Sequence, residues 1–326
     1  MSSIKIFILA LAAAMGTVGA QAAGYPDRPI ELIVPYGAGG ANDVIARLAA
    51  QYLEKYLPNK ARIIVLNKPG AGGEIGVRTL LNAKPDGYTI GQFGVPTMLM
   101  KVHEHDTFWS IDSFAPLANM VYDPAIVALR SDSKINTAAQ LFAAAKSAPD
   151  SLTVGILGEG SNDHLTLLDL EEAGGVKLRP IPFGGSAAAR TAVLGGHVDL
   201  FVSTIGDVLP AIRNGQFKPI GIVTKERLAM APEVPTFSEQ GFDIKGRGSS
   251  SRGWVLHKDT PKEIVTLLSG AMDKVFKDPA FVAQATELGL PIRYMGPDEY
   301  GRFLRESNAS LAQLWRTNPW VNKALK

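Results

Sequence analysis

The chain has 326 residues, 46% of them hydrophobic and 20% charged, with 33 basic against 31 acidic side chains and no cysteine. Such a length suits two domains or one large one, and a near-neutral balance argues against non-specific nucleic-acid binding. The missing thiols exclude disulfides, thiolate chemistry and the lipid-anchoring cysteine of a lipoprotein, so cohesion must come from a buried core.

Residues 1–22 read as a cleaved secretory signal. Lys5 and the amino terminus supply positive charge, Ile6–Met15 is an unbroken apolar run, and Ala20-Gln21-Ala22 offers an A-x-A cleavage site. The run is too short to cross a bilayer, which needs roughly 20 residues. Export implies a periplasmic location.

Ile30–Val34 reads as a strand and feeds V-P-Y-G-A-G-G-A-N-D (34–43). Apolar residues at Val44, Ile45, Leu48, Ala49, Tyr52, Leu53, Tyr56 and Leu57 then recur at a helical period. Glycines permit close backbone approach, Asn42 or Asp43 can cap the helix, and the free N–H groups of its first turn suit an anion. An ordinary tight turn would read the same way. Arg62–Leu66 is a second strand before a second glycine loop, Asn67–Gly73, and Tyr88–Phe93 a third strand ending at Gly94-Val95-Pro96-Thr97. Alternating strands and helices indicate parallel βαβ units.

Met120–Arg130 is extended and interrupted by Pro124, which marks a crossing into a second lobe; a capping box is expected at Thr137–Gln140. The βα rhythm then restarts. Strands at 152–156, 178–183 and 198–202 run into the loops 158–164 (G-E-G-S-N-D-H), 184–186 (G-G-S) and 203–207 (S-T-I-G-D), and a strand at 218–223 follows. A strand at 254–256, a second capping box at Thr260–Glu263 and helices near 262–276, 279–288 and 297–315 return the chain to lobe one. The expected division is lobe one, 23–123 with 225–326, and lobe two, 124–224. In open α/β sheets ligands bind at the carboxyl ends of strands, where these loops fall. Loops facing each other across an interlobe cleft could close on a ligand.

Several chemistries are weighed against that reading. Asn42 stands where a dinucleotide fingerprint needs its last glycine, and no G-K-[ST] follows for a phosphate loop. Gly184-Gly185-Ser186-Ala187-Ala188 resembles a degenerate nucleophile elbow, which leaves an exported α/β hydrolase using Ser186 as the alternative to a receptor. His103-Glu104-His105-Asp106 has metal-binding residue types without a metal-site spacing, in what reads as an irregular connection. Ser161, Asn162, Asp163 and His164 could aim polar groups at a ligand, and Thr204 lies at another strand-to-helix junction. The loops 36–43, 94–97, 158–164 and 184–188 contain no lysine or arginine. An anion there would be held by backbone N–H groups, hydroxyls, His164 and water, which favours a small carboxylate over a polyphosphate.

The ordered set of motifs resembles the Bug-type receptors, the extracytoplasmic solute-binding proteins of tripartite tricarboxylate transporters. It comprises Y-P-D-R-P-I (25–30), V-P-Y-G-A-G-G-A-N-D (34–43), N-K-P-G-A-G-G (67–73), K-P-D-G-Y-T (84–89), G-x-G-S-x-x-H (158–164), F-G-G-S-A-A (183–188), G-G-H-V-D (195–199) and P-E-V-P-T-F-S-E-Q-G (232–241). The resemblance implies a two-lobed periplasmic-binding-protein fold (type II, Venus flytrap) with two crossovers, no catalysis and no cofactor. It implies two integral-membrane transporter subunits as partners, with the receptor itself a monomer. Matched by motif, Tyr36, Gly37, Ala38, Gly39, Gly40, Gly94 and Thr97 would line the site from lobe one, with Asp43 beside them. Ser161, His164, Phe183, Gly185, Ser186 and Ala187 would line it from lobe two, with Asn162, Asp163 and Thr204 nearby. Gly184 stands where the family often has Lys or Arg, and Asn162-Asp163 adds polarity where many members are small or apolar. These departures bear on which mono- or dicarboxylate is bound, aliphatic or aromatic. Tyr36, Phe93 and Phe183 could wall a ring-bearing acid or simply pack a core.

Overall fold

The computed structural model describes residues 24–39, 41–183 and 186–320. The expected signal segment, Gly40 and Gly185 lie outside them. In chain order the elements begin β1 (Ile30–Val34), α1 (Ala41–Tyr56), β2 (Ile63–Asn67), α2 (Glu74–Asn82), β3 (Thr89–Val95), α3 (Thr97–Glu104), β4 (Phe114–Asp123) and β5 (Ala125–Arg130). Next come α4 (Ala138–Ser147), β6 (Thr153–Ile156), α5 (Asn162–Gly174), β7 (Arg179–Pro182), α6 (Ser186–Leu194), β8 (Leu200–Thr204), α7 (Ile205–Arg213) and β9 (Phe217–Ile222). The chain continues through β10 (Ser250–His257), α8 (Lys262–Lys277), α9 (Pro279–Glu287), β11 (Ile292–Met295) and α10 (Pro297–Thr317).

Two compact units emerge, one comprising residues up to Gln92 with Ser113–Ala118 and Trp254–Phe281, the other Phe93–Asp112, Asn119–Gly253 and the chain from Val282. In the first, β1 runs parallel to β2 (Ile30 opposite Ile63, Val34 opposite Asn67) and, on its other edge, to β3 (Glu31 opposite Thr89). A strand paired on both edges and covered on both faces reads as an apolar run, and Ile30, Leu32, Ile33 and Val34 are all buried. Helix α1 buries Ile45, Leu48, Ala49, Tyr52 and Leu53 and packs on α8, which buries Ile264, Leu268, Met272 and Val275 at helical spacing. At Gly76 an added Cβ would lie 2.6 Å from Pro35 Cβ, so α2 rests directly on the chain leaving β1.

The second unit holds a five-stranded sheet in the order β7-β6-β8-β5-β9, with β6 parallel to β7 and β8 and β5 antiparallel to β8 and β9. Successive residues of β5 point to opposite faces. Val127 and Leu129 pack with Leu141 and Phe142 of α4 and Leu167 and Leu170 of α5, whereas Ile126 and Ala128 pack with Ala189 and Val193 of α6 and Ile205, Val208 and Leu209 of α7. The sheet is thus a filled layer between helices, and its strands deliver the 157–164 and 203–207 segments to their junctions. The other, six-stranded sheet has the order β11-β4-β10-β3-β1-β2, with β11 antiparallel to β4 (Ile292 opposite Val121).

Some elements depart from expectation. His103 and Glu104 are the last residues of helix α3 and not part of an irregular connection, and β11 is a strand that the sequence reading lacks. Thr137 caps α4 by accepting from the Gln140 N–H at 3.2 Å, but the Gln140 side chain accepts from Asn136 N–H at 2.7 Å instead of closing the box on Thr137. No box forms at Thr260, because Pro261 takes the cap position of α8 with extended backbone and leaves the threonine one residue too early.

Candidate functional site

The loop between β1 and α1 presents Gly37, Ala38 and Gly39 to solvent, and an added Cβ at Gly37 or Gly39 would meet nothing within 4 Å. Gly39 has φ +80°, a conformation open to glycine at little cost. Asp43 holds the loop from behind, in the first turn of a helix that begins at Ala41. Its Oδ2 accepts from Gly39 N–H and from Arg47 Nε, each at 2.9 Å. Its Oδ1 accepts from Asn67 Nδ2 at 2.9 Å, and the same amide donates to the Tyr36 carbonyl at 3.1 Å. Burial works against the ionised carboxyl, but the hydrogen bonds from Arg47, Gly39 and Asn67 outweigh it and bring Asp43 down to about 2. Asp43 therefore acts as the brace of this loop. Asn42 accepts from Gln92 Nε2 at 2.9 Å, which fixes the helix start against β3.

In the second unit, Ser161 caps α5. Its Oγ accepts from His164 N–H at 3.2 Å and donates to the Gly158 carbonyl at 2.6 Å. His164 Nδ1 accepts from Gly160 N–H at 3.1 Å. The ring is buried, and burial pulls its pKa below the usual histidine value against the carboxylates of Glu171 and Glu104. Asp163 is 3% exposed, and its Oδ2 has no hydrogen-bond partner among the described residues. Burial, reinforced by the charge of Asp207, pushes its carboxyl up to about 8 against a lowering bond from the Leu157 backbone. At pH 7 Asp163 is a neutral acid, able to donate a hydrogen bond. Asp207 accepts from Ser203 Oγ at 2.8 Å, with Arg190 Nη1 4.0 Å from its other oxygen.

Thr204 is committed to the framework. Its Oγ1 donates to Asp123 Oδ2 at 2.9 Å, Gly206 N–H donates to Asp123 Oδ1 at 3.0 Å, and both terminal nitrogens of Arg252 lie 3.1 Å from Oδ2. Asp123 so closes the start of α7 from a position just before the β4–β5 junction. The remaining expected residues occupy junctions. Gly94 is inside β3 and Thr97 opens α3. Asn162 opens α5, where its carbonyl accepts from Thr166 Oγ1 at 2.8 Å. Phe183 lies over Gly155, its Cε2 3.6 Å from where a Cβ would be. Ser186 and Ala187 open α6, and Ser186 makes no hydrogen bond to a histidine or carboxylate among the described residues. His103 Nε2 is 3.0 Å from Asn308 Oδ1, and no group of three potential metal ligands occurs among the described residues.

Sequence reasoning passed over Arg47, Asp123, Arg252 and Trp320, and named Asn67 only as the start of a glycine loop and Glu104 only as a metal-binding residue type. Only Asn67 carried a signal, as the last residue of a strand entering a glycine loop. The others act through contacts that no local pattern announces.

Two α/β sheets with glycine-rich strand-to-helix loops define the class. A solute-binding protein described as TctC, from Polaromonas, superposes with TM-score 0.77 at 34% identity, over 90% of this chain and 99% of that one. The periplasmic binding protein BugD superposes with TM-score 0.74 at 29% identity, over 90% and 98%. MatC from Rhodopseudomonas palustris, solved with bound malate, superposes with TM-score 0.73 at 25% identity, over 89% and 99%. The fold is therefore the two-lobed α/β fold of periplasmic binding proteins.

The family follows from the sequence comparisons. The profile of the tripartite tricarboxylate transporter family receptor, TctC, matches residues 45–317. A Cupriavidus necator protein described as the UPF0065 protein in the gbd 5' region is 31% identical over 304 residues, 92% of this chain and 91% of its own length. The chain belongs to this family of periplasmic solute-binding receptors, as its motifs led us to expect.

Proposed function

We propose that the protein captures a small mono- or dicarboxylate with its glycine-rich loops and delivers it to the membrane subunits of a tripartite tricarboxylate-type transporter. The observation that carries this reading is the braced but open loop at 37–39. Its backbone is exposed, with a positive-φ glycine and a helix start, while Arg47, the cation beside it, is bonded to Asp43. Backbone N–H groups and neutral donors suit one or two carboxylates better than a polyphosphate. The malate in MatC supports the same ligand class.

The proposal extends to the lobes, 23–123 with 225–326 and 124–224, for which the break at Pro124 between β4 and β5 is the support. It also includes cleavage of the signal near Ala22, a monomeric receptor and the absence of catalysis. Among the described residues no helix is long and apolar enough to cross a membrane. The test is a thermal-shift screen of residues 23–326 with aliphatic and aromatic carboxylates, sugars and inorganic oxyanions, followed by calorimetry. At least one carboxylate should raise the melting temperature and bind with one-to-one stoichiometry. Shifts produced only by sugars or oxyanions would overturn the ligand class.

A further inference from the structure

The 158–164 loop is held by a closed circuit of four residues, two of them distant in sequence. Past the end of α10 the chain lays Trp320 edge-on against Trp315, ring centroids 4.9 Å apart. The Trp320 ring also meets the His164 ring edge-to-face, at 4.9 Å and 82°. Its indole N–H donates to Glu104 Oε1 at 3.2 Å. Glu104, at the end of α3, is itself buried, with Lys101 Nζ 2.9 Å from its other oxygen. Gly160 completes the circuit. It has φ +73°, and an added Cβ would fall 2.0 Å from Glu104 Oε1, so only a bare Cα fits against that carboxylate. The Gly160 N–H then donates to His164 Nδ1 at 3.1 Å.

That last bond fixes chemistry as well as position. A backbone N–H is always a donor, so Nδ1 must accept and carry no proton. The neutral ring therefore carries its hydrogen on Nε2, and Nε2 makes no hydrogen bond to another described residue. A histidine held in this form is a donor, the role a carboxylate ligand requires. An unconstrained imidazole would divide itself between two tautomers, and the other tautomer would present a lone pair to the anion.

We propose that Glu104 and Trp320 are positioning residues that hold His164 as the Nε2–H tautomer, so that this nitrogen donates to the ligand carboxylate. The inference rests on the carboxylate-receptor reading. It adds that the segment after α10 and the end of α3 belong to the binding machinery. The ring contact sets the plane of the imidazole, and the indole N–H holds the carboxylate that seats the glycine turn. Loss of either should loosen the same donor.

Two measurements separate this proposal from the reading beneath it. Long-range ¹H–¹⁵N spectra of the uniformly labelled protein report the tautomer of His164, assigned with His164→Gln, without any ligand. Wild type should show Nε2–H alone, and Trp320→Ala should show a tautomer mixture. Calorimetry with L-malate as the probe should show Trp320→Ala and Glu104→Gln weakened by about tenfold, with Trp320→Phe closer to wild type because an aromatic edge is kept. If Trp320→Ala proves poorly folded, Trp320→Phe and Glu104→Gln carry the comparison through the same spectra. An unchanged tautomer in every variant overturns the proposal, as does a wild type that carries its proton on Nδ1. Absence of malate binding to wild type counts against malate, and with the carboxylate screen also blank against the receptor reading. The spectra still decide the positioning role.

Discussion

Asn67 Nδ2 donates to Asp43 Oδ1 at 2.9 Å, which ties together two glycine-rich loops 24 residues apart. Each loop follows one of two paired parallel strands, β1 and β2, so the pairing of Val34 with Asn67 places the amide where the helix start can use it. The geometry of the exposed 37–39 backbone thus depends on a side chain outside that loop.

Acid should undo this brace. The ordinary Asp value is 3.8 and the folded value about 2. Because the folded value is the lower, the bonds stabilise the fold above pH 3.8, and the contribution is lost as the pH falls through about 2. Asp43→Asn should be less stable than wild type at pH 7 by about 1–2 kcal/mol, a figure held down by the half exposure of Arg47 to solvent. Urea denaturation at stepped pH should show the gap closing toward pH 2. A gap that stays constant would mean that the carboxylate charge is not its source.

Asp163 should show the opposite sign. Its folded value of about 8 lies above the ordinary 3.8, so the stability it contributes is complete below pH 3.8 and drains away as the pH rises to about 8. Asp163→Asn has no charge to bury. Relative to wild type it should gain stability with each step from pH 4 to 8 and level off beyond. Denaturant midpoints of both proteins across that range check the slope, and parallel profiles would refute it.

Two glycines should respond differently to the same methyl group. At Gly248 an added Cβ would lie 1.9 Å from Thr166 Oγ1 and 2.3 Å from the Asn162 carbonyl, with backbone on one side that cannot yield. Gly248→Ala should cost about 2 kcal/mol or more. At Gly37 nothing lies within 4 Å, so Gly37→Ala should keep the wild-type melting temperature. Thermal melts of the two variants side by side decide the point.

Thr204 offers a test of framework against ligand. Its hydroxyl is one of the donors surrounding the buried Asp123 carboxylate. Thr204→Val should lower unfolding free energy by about 1–2 kcal/mol in the absence of any ligand. Wild-type stability combined with lost ligand binding would instead return the hydroxyl to the site.

The legible parts of this fold were those with a local cause. Ile30–Val34 could be read as a strand to the residue, because four of its five residues are apolar and buried. Helix α8 was expected behind a capping box at Thr260–Glu263 that does not form, yet the helix is there because Ile264, Leu268, Met272 and Val275 recur at helical spacing. Helix α3 was not, since its Thr97–Glu104 stretch is short and runs straight into His105 and Asp106. Strand β11 was not, because four residues, three of them not buried, acquire strand character only by pairing with β4, far back in the chain.

By itself the sequence determined the glycine loops, the strand-to-helix junctions that carry them, the want of basic residues in the loops 36–43, 94–97, 158–164 and 184–188 and, through the ordered motifs, the receptor family. Tertiary structure decided what each polar residue does there. Asp43 turned out to brace a backbone and Thr204 to fasten a buried aspartate. His164 accepts a hydrogen bond from a glycine N–H and has an aromatic cover from Trp320. The physical reason is the range of the forces. Periodicity, capping and glycine freedom act over a few residues and are written locally, whereas burial, proton placement and hydrogen-bond partnership depend on which distant segments the packed sheets bring together.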